Sequence, residues 1–214
     1  MQSETSASRA ANDTPVTIAI LAGGAGTRLG GRDKGLETLA GRPLVAHGVA
    51  AARAMAARWA GDRTVGVDLL VVANRHLAGY ARHAPVITDA TPGFPGPLAG
   101  VAAALAARPL QQVLTLPVDC PDPPDDLLLR LHAALAASAA PAVVAHDGAR
   151  RQPLFALYRP GLGEAAAAAL QAGNGVHAWQ QALGAAPVDF AGRRRQFANL
   201  NTPHEFHAYA ERTG

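Results

Sequence analysis

Residues Ile18–Leu36 read IAILAGGAGTRLGGRDKGL, and this stretch decides how the rest of the chain is interpreted. The run Val16–Leu21 is short, apolar and uninterrupted, the pattern of a strand covered on both faces, as in the centre of a parallel sheet. Five glycines (23, 24, 26, 30 and 31) follow within nine residues. They leave a backbone that a ligand can approach without a Cβ in the way, and its amides can cradle an anion. Arg28 and Lys34 bring positive charge to the same loop. Lys34 is the sole lysine among nineteen Lys and Arg residues, and phosphate chemistry is one setting in which a compact ammonium and a planar guanidinium are not interchangeable.

Spacing excludes two common glycine loops. A P-loop requires Lys followed by Ser or Thr, but Lys34 lies between Asp33 and Gly35. The dinucleotide fingerprint requires a third glycine where Leu29 stands. What remains is L-A-G-G-x-G-T-R-L-G-G-x-D-K-G-L.

The chain has 214 residues, 16% of them charged, and a formal net charge of +3. That length suits one sizeable α/β domain. Residues 1–14 are polar, without an apolar core that would make a secretory signal, and are expected to form a disordered tail; 15–214 are expected to form the single domain. The modest charge does not imply nucleic acid. Cys120 is the one cysteine, so neither an internal disulfide nor a cysteine metal cluster is expected, and a reducing, cytoplasmic setting follows. No run of about 18 apolar residues suggests a membrane span.

Outward from the loop, the pattern predicts a helix over 43–59 and strands over 68–73 and 85–88. A Pro/Gly loop over 90–100 leads into a helix over 97–107, and a strand follows over 112–116. This alternation implies a three-layer α/β/α, Rossmann-like, mostly parallel sheet. Beyond it, helices are predicted over 125–138, 162–171 and 176–183, and strands over 142–146, 153–158 and 188–190. Asp147-Gly148 marks an antiparallel hairpin at the far side, and Thr202 a cap for the closing helix. Asp122 or Asp125 reads as the cap of the helix after Pro124.

Asp119 ends an apolar strand, where a carboxylate is costly without a cation or several donors. A magnesium ion is the natural partner in a triphosphate site, because it takes oxygen ligands and bridges phosphates. Asp89 and Asn74, read alone, are turn residues as readily as ligands. The eight histidines lack metal-binding helical spacing, and Arg193-Arg194-Arg195 reads as a solvated face.

The glycine loop resembles the signature of nucleotidyltransferases, and its Gly-Gly-x-Asp-Lys-Gly-Leu ending resembles that of the molybdenum cofactor guanylyltransferase family. The resemblance runs from about Thr17 to Glu205. It takes in Leu21, Ala22, Gly23, Gly24, Arg28, Lys34, Asn74, Asp89, Gly96–Gly100, Asp119, Gln152-Pro153 and Asn199–Pro203. Leu29 replaces a methionine frequent in the family, and Cys120-Pro121 follows Asp119 where other small residues occur. The resemblance implies transfer of GMP from GTP to the terminal phosphate of molybdopterin or the molybdenum cofactor. Lys34, Arg28 and Asp119 would be catalytic and Asp119 would hold Mg²⁺. Leu21, Ala22, Gly23, Gly24, Lys34, Asn74, Asp89 and Asp119 would bind the nucleotide, and Gly100, Pro153, Asn199 and Asn201 the acceptor. Molybdenum-insertion proteins and molybdoenzyme chaperones are the implied partners. The cytidylyl-transferring sister family, whose motif tends to read Leu-Ala-Ala-Gly, is distinguished at Gly23. A sugar-phosphate nucleotidyltransferase would carry a later lysine that this chain lacks, and a silent GTP-binding assembly protein would not turn over.

Overall fold

The computed structural model describes residues 14–23, 33–61, 65–89 and 96–213. The tail, Gly24, Arg28 and most of the 90–100 loop therefore lie outside the described residues. Strand β1 (Val16–Leu21) is followed by a 3₁₀ turn (Lys34–Leu36), a small hairpin of β2 (Thr38–Leu39) and β3 (Arg42–Pro43), and helix α1 (Leu44–Trp59). Then come β4 (Val67–Val72), α2 (Leu77–Ala81), β5 (Val86–Ile87), α3 (Pro97–Ala107), β6 (Gln112–Pro117) and α4 (Leu127–Ala136). The remainder is β7 (Ala142–His146), β8 (Arg151–Tyr158), α5 (Gly163–Gln171), α6 (Val176–Ala182), β9 (Ala186–Asp189), a 3₁₀ turn (Arg194–Phe197) and α7 (Pro203–Thr213).

The main sheet has seven strands in the order β5-β4-β1-β6-β8-β7-β9. β8 alone runs against its neighbours β6 and β7, while the other pairings are parallel. Burial on both faces explains the apolar runs. Ile18, Ile20, Leu114 and Leu116 enter the core beneath α1 and α4. Ala19, Leu21, Leu70 and Val72 alternate with them into the core beneath α3, α5 and α6. A polar residue on either face would lose its water without a partner, so the period-two alternation of a one-sided strand is absent.

Several boundaries differ from the sequence-based prediction. The helix predicted from 125 starts at Leu127, and neither Asp122 nor Asp125 caps it. Its N-cap residue is Asp126, whose side chain makes no capping bond. Asp125 instead pairs with Arg58 at 2.9 Å, and Asp126 pairs with Arg193 at 2.5 Å. That second pair takes the first arginine of the triplet out of the freely solvated face. The last strand is Ala186–Asp189 rather than 188–190, because its register is set by parallel pairing with β7, which leaves Phe190 in the core. Helix α2 and the β2/β3 hairpin were not predicted.

Asp147 makes the predicted hairpin turn a strong joint. Its carboxylate, 4% exposed, accepts the amides of Ala149 at 2.8 Å and Arg150 at 2.9 Å and the Gln152 side-chain amide at 2.8 Å. Burial pushes its pKa up, but the Arg150, Ala149 and Gln152 donors and the Arg194 charge outweigh burial and leave it below the usual carboxylate range. Asp147→Ala should therefore destabilise the fold by about 2 kcal/mol at pH 7, because it leaves the buried Gln152 amide and the two turn amides without their acceptor. A depressed folded-state pKa gives stability that is present above the unfolded value and lost as pH falls through the folded one. The gap between the two proteins in urea unfolding should thus hold at neutral pH and shrink below about pH 4. A gap unchanged at low pH would assign the cost to packing.

Candidate active site

Strand order creates the site. The chain lays β4 and β5 on one side of β1 and then crosses to place β6 on the other, so a crevice forms at the carboxyl ends, where doubly wound sheets bind ligands. Two backbone bonds extend the sheet past the strand ends: Ala22 N donates to Val72 O at 2.8 Å, and Val118 N to Leu21 O at 3.0 Å. They bring Leu21-Ala22-Gly23 between the β4/β5 side and Asp119.

On the β4/β5 side, Asn74 and Asp89 form a two-bond pair. Asn74 Nδ2 donates to Asp89 Oδ2 at 2.8 Å, and the Asp89 amide donates to Asn74 Oδ1 at 3.0 Å. This reciprocity fixes the orientation of the Asn74 amide. A Cβ built at Gly23 would lie 3.6 Å from Asp89 Oδ2, an ordinary contact, so space at Gly23 belongs to the crevice and is not required by the fold.

On the β6 side, Lys34 rises from its 3₁₀ turn. Its Nζ donates to Asp119 Oδ2 at 2.5 Å and to Asn201 Oδ1 at 2.6 Å. The ion pair is four-fifths withdrawn from water, with side-chain exposures of 20% and 17%, so it is weakly screened. The second carboxylate oxygen, Asp119 Oδ1, is buried without a hydrogen-bond partner among the described residues. An unpartnered oxygen on a buried carboxylate is costly unless a cation or donor completes it. Among the described residues no three His, Cys, Asp or Glu side chains gather into a metal cage. A divalent ion held by one carboxylate and substrate oxygens fits this donor set, and Mg²⁺ commonly binds in that way.

The carboxyl-terminal segment closes this side. Leu200 N donates to Asp119 O at 2.8 Å, while the Leu200 side chain packs with Leu39 and Leu44 against Phe206 and Tyr209. Glu205 accepts the amides of Asn201 at 2.6 Å and Thr202 at 2.8 Å. Thr202 Oγ1 in turn accepts the Glu205 amide at 3.3 Å, so the predicted Thr202 cap is one half of a reciprocal capping box. The Asn201 amide first, then Thr202 and the Lys34 charge, hold the Glu205 carboxyl below its usual range against burial. Cys120 lies beneath the site with its thiol on Gln196 O at 3.2 Å. Burial, with the Asp119 charge, pushes its pKa up to about 12, so it is an inert packing group.

The crevice thus brings together Leu21, Ala22, Gly23, Lys34, Asp119 and Asn201, with Asn74 and Asp89 opposite. Gly100 is buried in α3, where a Cβ would lie 3.4 Å from Leu21 Cδ2 and 3.8 Å from Val72 Cγ1. Its visible task is the close approach of α3 to β1 and β4. Pro153 is the third residue of β8, which starts at Arg151 rather than at 153 and runs antiparallel to β6, so it lies toward the same sheet edge, and its carbonyl accepts Gln180 Nε2 at 2.8 Å. Asn199 is exposed. Gly24 and Arg28 lie outside the described residues. Sequence reasoning did not find the supports of Lys34, namely Asp33 and Tyr80; the one available signal was the glycine following the lysine, which marks a close approach.

Comparison with known proteins agrees with this geometry. Residues 18–187 match the MobA-like NTP transferase domain. A protein of Shewanella amazonensis named molybdenum cofactor guanylyltransferase is 37% identical over 192 residues, covering 89% of this chain and 93% of that protein. One of the same name from Shewanella sp. strain MR-4 is 36% identical, with 89% and 92% covered. The crystal structure of molybdopterin-guanine dinucleotide biosynthesis protein A from Archaeoglobus fulgidus superimposes with a TM-score of 0.68 at 20% identity, covering 91% of this chain and 97% of that one. The fold is that of the nucleotidyltransferases. Within that class, the chain belongs to the molybdenum cofactor guanylyltransferase family of MobA-like NTP transferases.

Proposed function

We propose that this protein transfers GMP from GTP to the terminal phosphate of molybdopterin or its molybdenum-loaded form. An acceptor phosphate oxygen attacks the α-phosphorus of GTP in line. The new P–O–P bond forms as the bond to the β-phosphate breaks, and pyrophosphate leaves. The observation that carries the reading is the Lys34–Asp119 pair at the carboxyl ends of β1 and β6, with one Asp119 oxygen buried and without a partner among the described residues; the relatives' shared name supplies the base and the acceptor.

No side chain need act as a nucleophile, since transfer at phosphorus depends on positioning and charge neutralisation. Lys34, with Arg28 from the glycine loop, would stabilise charge on the triphosphate and the departing pyrophosphate. Asp119 would hold Mg²⁺, which when bound supplies further charge neutralisation across substrate oxygens. Backbone groups of Leu21–Gly24 with Asn74 and Asp89 would hold the nucleoside, and Asn199, Asn201 and Pro153 would line the acceptor side, whereas Gly100, expected there from the sequence, packs α3 against β1 and β4. No helix among the described residues is long and apolar enough to cross a membrane, and we place the enzyme in the cytoplasm with molybdenum-insertion proteins and molybdoenzyme chaperones as its partners.

The test is incubation with molybdopterin, Mg²⁺ and each of the four nucleoside triphosphates, followed by identification of the dinucleotide. A cytosine dinucleotide would identify the sister activity, and no product a silent binding protein. Gly23→Ala refines it: the added Cβ has room in the fold but should crowd the base, weakening GTP about tenfold and CTP less. Equal losses in titrations of both nucleotides would restrict Gly23 to loop geometry.

A further inference from the structure

Resting on that reading of the site, we infer that Tyr80 is a positioning residue for Lys34: its buried hydroxyl and ring set the turn from which the lysine reaches Asp119 and Asn201. Tyr80 is fully buried, and its hydroxyl donates to Asp33 Oδ1. The same oxygen accepts the Gly35 amide at 3.2 Å, which caps the Lys34–Leu36 turn. The Asp33 carboxylate is thus held by one donor from the turn and one from α2, with Lys34 between Asp33 and Gly35.

The ring makes the second contact. A Cβ at Gly35 would stand 2.9 Å from Tyr80 Cε1 and Cζ, closer than any side chain tolerates. Gly35 is therefore small so that the turn can lie on the phenol ring. One residue earlier in α2, a Cβ at Gly79 would lie 3.0 Å from Leu36 Cδ1. Two glycines on opposing elements thus interlock the turn with this five-residue helix. Such a helix is too short to be stable alone; its own support is this contact and the backbone bonds onto His76, to which Gly79 N donates at 2.8 Å.

Two further facts separate positioning from simple core filling. A phenylalanine would fill the core equally well, whereas the hydroxyl is directed at the carboxylate next to the catalytic lysine. Burial first, then the Asp33 bond and charge, push the phenol pKa up, so the group remains a donor. In addition, α2 follows directly from Asn74-Arg75-His76. The segment that sets Asn74 against Asp89 also sets Tyr80 against Asp33, so the two sides of the crevice share one short stretch of chain.

The test compares Tyr80→Phe, Asp33→Ala, Asp33→Asn and the Tyr80→Phe/Asp33→Ala pair in the GTP–molybdopterin assay. Loss of the hydroxyl should lower kcat about tenfold with KM for GTP changed less than about twofold, the signature of an interaction used in the transition state. Asp33→Asn keeps an acceptor oxygen and should retain most of the activity lost in Asp33→Ala. The double variant should be no worse than Asp33→Ala, because both changes break one linkage. Unchanged kcat in Tyr80→Phe, or independent multiplying losses, would overturn the inference.

Because Lys34 is the sole lysine, a second readout needs no turnover. Amine acylation mapped by mass spectrometry reports Lys34 directly and should be several-fold faster in Tyr80→Phe than in the wild type. Asp147→Ala, which destabilises the turn between β7 and β8, should leave that rate unchanged; equal acceleration in both variants would reduce Tyr80 to a general stabiliser. A wild type that fails to use GTP would defeat the proposed function, yet leave this labelling comparison intact.

Discussion

Lys34→Ala should lower turnover by about 10²- to 10³-fold, the size of effect that follows loss of one preorganised cation at developing phosphate charge. The ammonium donates to Asp119 and Asn201 at 2.5 and 2.6 Å, so it is already oriented when substrate arrives and spends little on reorganisation. Removing it also leaves Asp119 without its cation. Since the pair retains about a fifth of its exposure, the stability loss should be about 1–2 kcal/mol, below that of a fully buried pair. The variant should remain folded at 25 °C and bind GTP, which separates a catalytic loss from a folding one. A folded variant with near-normal kcat would remove the chemical role of Lys34.

Asp119→Asn should be as damaging for a different reason. The amide keeps the size of the side chain and an oxygen for the Lys34 bond, but it carries no charge for a divalent ion. Turnover should fall at least about 10²-fold, Tm should move by only a few degrees, and raised Mg²⁺ should recover part of the activity. A capping role would predict little change, since Asn caps about as well as Asp. The structure already places the next helix at Leu127, away from Asp119. Rate measured against Mg²⁺ concentration for both proteins decides the matter, and superimposable curves would sink the metal role.

The parts of this fold that were legible in the sequence are those whose cause is local. β1 and β6 are apolar on both faces because both faces are covered, and a continuous run records that directly. The glycine loop, Lys34 and Asp119 stood out because their residue types are unusual for their surroundings. The closing helix declared itself through Thr202, Pro203 and Glu205, residues that answer the needs of a helix start. What escaped was structure with distant causes. Helix α2 is five residues long with Gly79 inside it, too short for the propensity of Leu77, Ala78 and Ala81 to declare it; it is held where Tyr80 and Gly79 meet Asp33, Gly35 and Leu36. Asp125 looked like a capping residue, but Arg58 claims it from another element, and Asp126, which stands at the N-cap instead, is claimed by Arg193. The inward face of Asn201 depends on Leu200 entering a small core with Leu39 and Leu44, a meeting that no local window contains.

The bond between Lys34 and Asn201 joins residues 167 positions apart. During synthesis, the glycine turn, the sheet's central strands and Asp119 all emerge while residue 201 has yet to be made. The half of the crevice proposed to hold the nucleoside can therefore form early, whereas the lysine receives its second anchor only when Leu200 docks and the capping box around Glu205 closes. Contacts of such long separation are slow to form because the loop they close is costly in entropy. A growing chain would thus acquire nucleotide affinity before transfer competence, and bound nucleotide would favour the folded half while the last segment is still being added.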